Sequence, residues 1–297
     1  MDWHGFLLLW CAVCGVWALF GYGRSLIGAT PAQRAVRVTG RIVEVRTPAH
    51  GNPGTDGIPV VIAFPDPATG REHALPYEAE RGITLDTVWL GQEVAVLHPP
   101  GEPHRFEVTY DLQDGRHGRG WPHFAVFLLY AGLVADTALR HGYPWALLGA
   151  GGPLAVAMTS VLRHDLVLMR REAARLATAV RVPGRVAAVL ESVHEDGEGS
   201  WTSHTAVLVF TTREGTAVTA RLRSGIPDPA HAYGRELTVH YVPDDLALFT
   251  LDPAAARRSA RWDIAFVVLV LLLGAAAAVA GAVLLWGQGA DVTAAGR

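Results

Sequence analysis

The sequence predicts a membrane α + β protein in which four transmembrane helices carry two small all-β regions. Three observations lead there. Apolar residues, half of the 297, gather in a few blocks almost free of charge, as membrane spans do and a soluble core does not. Between the blocks lie short β-branched stretches punctuated by Pro, Gly, Asn and Asp, the pattern of small strands and turns. Finally, the two halves of the chain resemble each other at a near-constant spacing.

The spans come first. Gly5–Tyr22 is an 18-residue block without an ionisable side chain, and it places a first transmembrane helix within residues 1–27. Trp3, Trp10, Cys14 and Trp17 fall on one face of it, which reads as a seam against a neighbouring helix or an interfacial anchor. Asp2 stands where a secretory signal would carry a basic residue, so a cleaved leader is the weaker reading. Residues 262–287 contain the clearest span, Ile264–Trp286, uncharged over 23 residues with Trp262 and Trp286 at its ends. Its small residues Gly274, Ala278 and Ala282, with Ala277 and Gly281, form rows suited to close helix contact. Two weaker blocks, 121–139 and 143–162, are separated by Arg140, His141 and Gly142 and read as an inserted hairpin. Asp136 costs about 2.5–3.5 kcal/mol at mid-bilayer, but it lies four residues before Arg140, so the two are expected to pair at the interface. Beyond 162 an amphipathic pattern continues the third helix to about residue 178, and residues 288–297 form a tail.

The internal match covers the regions between spans, 34–112 and 179–253. Arg37-Val-Thr-Gly-Arg-Ile-Val-Glu-Val45 aligns with Arg181-Val-Pro-Gly-Arg-Val-Ala-Ala-Val189, and Pro59–Phe64 with Thr205–Phe210. Gly91–Val96 then aligns with Gly234–Val239, and Phe106–Val108 with Phe249–Leu251. A span precedes and follows each stretch, so the expected unit is helix–domain–helix, present twice and pointing the same way both times. Strands are expected at Val36–Arg46, Ile58–Phe64 and Glu93–Leu97, and again at Arg185–Glu191, Ala206–Thr211, Ala217–Leu222, Glu236–Tyr241 and Ala247–Leu251. About five strands in each region suit a five-stranded barrel or sandwich-like domain, with oligonucleotide-fold or SH3-like barrels the nearest types.

On Gly40 and Gly184 in the opening strands, Phe64 and Phe210 at strand ends, and the closing Gly-x-x-Val-x-Val-x-x-x-Pro from Gly91 to Pro100 with its looser partner Gly234 to Pro243, the chain resembles a bacterial membrane family named for domain of unknown function 3592. The likeness covers about residues 36–110 and 180–252. It implies architecture only, because the family brings no catalytic residue with it. His98-Pro99 departs from the aromatic turn that the resemblance leads one to expect, where the second region has Tyr241-Val-Pro.

Charge and chemistry narrow the function. All 25 basic residues are arginine, a composition typical of a GC-rich bacterial coding sequence, and the net charge of −3 speaks against nucleic acid. Arg24, Arg34, Arg37, Arg41, Arg105, Arg116, Arg119, Arg163, Arg170, Arg171, Arg175, Arg181, Arg257, Arg258 and Arg261 flank the spans on the side of the β regions. Arg140 and Arg297 alone flank the other side, so the β regions are expected to be cytoplasmic. The two cysteines, Cys11 and Cys14, lie in an apolar helix that keeps thiols protonated, against redox chemistry. His194, Glu195, Asp196, Glu198 and His204 crowd Ser192–Ser203, which reads as a solvated acidic hairpin loop. Its counterpart, Pro48–Gly57, has His50 and Asp56 but no glutamate. No nucleophile elbow, phosphate loop or dinucleotide fingerprint occurs, and Arg221 and Arg223 read as a solvated strand face.

No catalytic, cofactor-binding or metal residue is therefore nominated. The leading expectation is a non-enzymatic multi-pass protein of the cell membrane. Its β regions would bind a partner protein, or a second copy of the chain, at the bilayer surface. The alternatives are a small transporter or channel component built on parallel repeats, and a membrane-bound metal-dependent hydrolase resting on the His/Glu loop.

Overall fold

The computed structural model describes residues 3–54, 56–79, 81–113, 119–196, 199–222 and 225–295. Arg116, Gly197, Glu198, Arg223 and Arg297 lie outside them, as do the side chains of His194, Glu195, Asp196 and Arg257. The chain divides into a helical unit (Met1–Gln33, His117–Arg171, Arg257–Arg297) and a β unit (Arg34–Arg116, Glu172–Ala256).

Among the described residues the helical unit has four helices long and apolar enough to cross a membrane. They are α1 (Trp3–Leu26), α3 (Gly120–His141), α4 (Tyr143–Leu176) and α5 (Pro253–Ala295). The one-turn α2 (Pro31–Arg34) follows α1 in the chain. Thr30 caps it by accepting from the Gln33 amide, while the Gln33 side chain accepts from the Thr30 amide, a reciprocal capping box with Pro31 at the first helical position.

Helix α1 packs on α3, with Trp10, Cys11 and Cys14 on the contact. The Trp10 indole donates to the Leu128 carbonyl at 3.3 Å, both cysteines are buried, and Trp17 stacks on Trp121. Of the face expected to be a seam or an anchor, Trp10 and Trp17 meet α3 and Cys14 is buried, while Trp3 is largely exposed and touches Phe6 of its own helix. Helix α4 packs on α5 through the predicted small residues. A Cβ on Gly151 would lie 2.6 Å from both the Ala278 nitrogen and the Gly274 oxygen, and one on Gly281 would lie 2.7 Å from the Pro144 oxygen. The two backbones touch, which only small residues allow. Pro153, inside α4, cannot donate to the Gly149 carbonyl one turn earlier. The Tyr130 hydroxyl of α3 donates to that oxygen instead, at 2.5 Å, so the break in one helix becomes a tie to its neighbour.

The β unit contains two antiparallel sheets. The first runs β3 (Glu72–Tyr77), β2 (Val60–Pro65), β1 (Val36–Val45), β5 (Glu93–His98), β6 (Glu107–Thr109). The second runs β11 (Asp245–Thr250), β10 (Glu236–Val242), β7 (Val180–Asp196), β8 (Gly199–Thr211), β9 (Ala217–Leu222), and then β4 (Thr87–Trp89), which comes from the first β region. Apart from β4, the two orders are the same, with β7–β9 in the places of β1–β3 and β10–β11 in those of β5–β6. A register shift falls between Ile42 and Glu44 in β1 and between Val186 and Ala188 in β7, the same place in each strand. Ile42, Ile62, Phe64, Val88 and Val96 fill one core, and Leu208, Phe210, Val218, Val239 and Tyr241 the other.

Three strands escaped the sequence reading, one of them the three-residue β6. Strand β3 reads Glu-His-Ala-Leu-Pro-Tyr, and the proline argues against a strand unless the strand is at an edge, where β3 lies. Strand β4 has three residues, too few for a period. The expected loop Ser192–Ser203 is also corrected. The β7–β8 ladder continues through Ser192↔Ser203, Val193↔Thr202 and His194↔Trp201 to Asp196↔Gly199, where β-branched and aromatic residues sustain the pairing.

Candidate functional site

The two β regions are fastened together at two places. Along β9, strand β4 pairs Thr87↔Ala220, Val88↔Thr219 and Trp89↔Val218, and the Arg221 amide donates to the Asp86 carbonyl at 2.7 Å. Val88 is fully buried in the first core while its backbone extends the second sheet. Along the outer edge of β7, residues 51–54 take up the next hydrogen bonds. The Gly51 amide donates to Val189 and the Gly54 amide to Glu191, while the Glu191 amide donates to Asn52. His50 stacks on Tyr233, with centroids 4.0 Å apart. Residues 50–54, within the counterpart of the acidic hairpin, are thus a fastening. Arg221 is half-buried, with Nε and Nη1 shielded from solvent, which corrects its reading as part of a solvated face.

The exchange runs in one direction. Register places Pro76 of β3 opposite Val61 and Arg221 of β9 opposite Val207, so the two occupy equal positions. Arg221 supplies the amide that anchors the added strand, and proline has none. Strand β3 ends its sheet, and in the second β region the place of β4 is taken by a single 3-10 turn, Pro229–His231.

The β2–β3 and β8–β9 turns are built differently. Asp66, 4% exposed, accepts from the Thr69 hydroxyl at 2.8 Å and the Ala68 amide at 3.0 Å, bonds that hold its carboxyl below the usual range, the Thr69 bond foremost. In the second turn the Thr212 hydroxyl accepts from the Thr216 amide. There the Tyr241 hydroxyl accepts from the Arg213 amide at 3.0 Å and donates to Glu214 at 3.1 Å. His98 takes the place of Tyr241. It is 1% exposed, and its Nδ1 lies 2.9 Å from the Pro99 carbonyl. A carbonyl only accepts, so Nδ1 carries the proton and Nε2 is a buried acceptor, which has no partner among the described residues. An orphaned buried acceptor costs about 1–3 kcal/mol. His98→Phe, which keeps a ring against Phe64, should therefore raise the thermal midpoint; a lowered midpoint would show that the imidazole nitrogen is satisfied.

Beside this core lies a recess of about 460 Å³. Its floor is Tyr77 and Phe106, both buried, with ring centroids 5.6 Å apart, and Pro76 forms one wall. Glu78, Arg81, His104 and Arg105 stand at the rim. The Tyr77 hydroxyl lies 2.7 Å from the Arg81 carbonyl and 2.6 Å from the Ile83 carbonyl and shares its proton between them. Burial, with Glu107 adding, pushes its pKa up to about 12, so it remains a donor. The Ile83 amide donates to Val108 on β6, and Gly82, at φ +91°, sits too close to the Val108 backbone for any side chain. Residues 81–83 are therefore a fixed strap. No sequence motif marked this recess.

In the helical unit Asp136 meets Arg140 as expected, Oδ2 to Nε at 2.9 Å, and its other oxygen lies 3.0 Å from His4 Nδ1, a partner the sequence did not suggest. With both oxygens engaged, Asp136 is a structural tie between α1 and α3. Exchanging Asp136 and Arg140 should preserve detergent stability better than either alanine substitution. Additive losses across a double-mutant cycle would remove the pairing. Among the described residues no three His, Cys, Asp or Glu side chains come together as metal ligands. Comparison with protein-family models, curated proteins and solved structures finds no match to this chain.

Proposed function

We propose that the chain is a non-catalytic multi-pass membrane protein whose two β regions act as one binding platform for a protein partner at the cytoplasmic face of the bilayer. The observation that carries this reading is the fastening through β4 and residues 51–54, which makes a single broad body out of two small ones. Small regions joined only by their helices would swing independently, whereas a fused pair presents a pre-organised surface, which lowers the entropic cost of association. We also read the two regions as copies of one helix–domain–helix unit, each a small barrel or sandwich of the kind the family resemblance implies. Equal strand orders, glycines at equal places in β1 and β7 and a register shift at the same point support that reading. So does the packing of the helices that bracket each region in the chain, α1 on α3 and α4 on α5. The excess of arginine beside the spans supports the cytoplasmic side.

The test is co-purification from native membranes in mild detergent. Wild-type protein should enrich a defined partner, and Trp89→Pro, which interrupts β4, should lose it while the four helices still insert. Finding no protein enriched over an unrelated four-span control would sink the reading.

A further inference from the structure

We propose that the recess over Tyr77 and Phe106 is a binding site for a small organic carboxylate with a flat apolar body. This goes beyond the partner-protein reading and does not depend on it. The floor offers the small accessible parts of Tyr77 and Phe106 beside the exposed Pro76 ring, room for one small flat apolar group beneath a polar rim. Specificity then falls to the rim. Arg105 is already held by Glu102 at 3.0 Å, and nearby Arg46 by Glu44 at 2.9 Å. Arg81 makes no ion pair among the described residues, so its planar fork of donors is available, and that fork matches a carboxylate in two parallel bonds. Arg81 is also the residue whose backbone is fixed. Its carbonyl accepts from Tyr77, and the next two residues are pinned to β6. A charged side chain carried on an immobilised strap loses little backbone freedom when it closes on a ligand.

In the second β region the positions of Tyr77 and Arg105 are apolar. Phe249 holds the place of Phe106 and keeps the aromatic floor, while Leu222 and Leu248 stand where the first region has Tyr77 and Arg105. Leu222 and Phe249 there pack against the second core. One region closed the position with leucine, and the other left a recess with arginines at its mouth.

The probe is 4-(trifluoromethyl)benzoate, followed by ¹⁹F NMR line broadening on the full chain in phosphatidylcholine nanodiscs, with empty nanodiscs subtracted. Saturable binding is expected, and the uncharged 4-(trifluoromethyl)benzamide should bind at least about tenfold more weakly. Arg81→Gln should weaken the benzoate about tenfold and leave the amide unchanged, while Arg81→Lys, which keeps the charge without the fork, should fall between. Glu102→Gln, which frees Arg105, should leave benzoate binding intact or tighten it. Thermal midpoints equal to wild type establish that the variants are folded, and partner co-purification should be the same with Arg81→Gln as without. No saturable binding by wild type, equal binding of acid and amide, or full binding by folded Arg81→Gln would each overturn the proposal.

Discussion

Valine in place of Gly184 should destabilise the β unit by about 1–3 kcal/mol, and valine in place of Gly40 by a similar amount. On β propensity alone both changes are favourable, so the predicted sign rests on packing. A Cβ on Gly40 would lie 2.8 Å from a methyl of Ile62 and 2.8 Å from one of Val96; on Gly184 it would lie 2.7 Å from a Val239 methyl and 3.2 Å from Leu208 Cδ1. These neighbours belong to the strands on either side, so neither can retreat without dragging its own core contacts. Thermal melts of the full chain in detergent, with limited proteolysis reporting on the β unit, measure the effect. Unchanged or raised midpoints in both variants would mean that the cores open more easily than their packing implies.

The second large effect concerns the fastening. Residues 34–112 and 178–254, produced separately, should associate, and mixing should raise the melting midpoint of the second piece by more than about 5 °C. Alone, residues 178–254 present the bare edge of β9, where Thr219 and Arg221 have lost Val88 and Asp86, and the bare edge of β7 from Val189 to Glu191. An uncovered edge of this kind pairs with whatever strand is offered, including its own copies. The piece is therefore expected to self-associate when alone and to become soluble and better ordered when 34–112 is added. Independent melts in the mixture would refute the coupling.

The sequence disclosed what depends on local composition. Ile264–Trp286 is legible because charge is absent over its whole length, and the α4–α5 contact because Gly274, Ala278 and Gly281 recur at helical spacing. Gly40 and Gly184 stand out because each interrupts a run of β formers at the same place. The structure gives the physical reason: neighbouring methyl groups occupy the space that a side chain would need. What stayed hidden depends on long-range pairing. Thr87–Trp89 is a strand only because β9 offers it an edge more than a hundred residues away. The recess is assembled from Tyr77, a strap at 81–83 and Phe106, none of which has a periodic or motif-like signature. Ser192–Ser203 looked like a loop because its charges crowd the centre, while the residues that extend the hairpin, Val193, Thr202 and Trp201, are dispersed around them.

Pro76 bears on how large an assembly can become. If every β region both lent a short strand and received one, the contact would be head-to-tail, and such contacts have no natural end: molecules would add to molecules and build an open fibre. Among the described residues the lending strand is present once, as β4, and the receiving amide once, at Arg221, both already engaged with each other. The other potential receiver carries proline where the anchoring amide would be. Growth through this pairing therefore terminates after one addition, inside a single polypeptide, because the lent strand and its receiver are both consumed there.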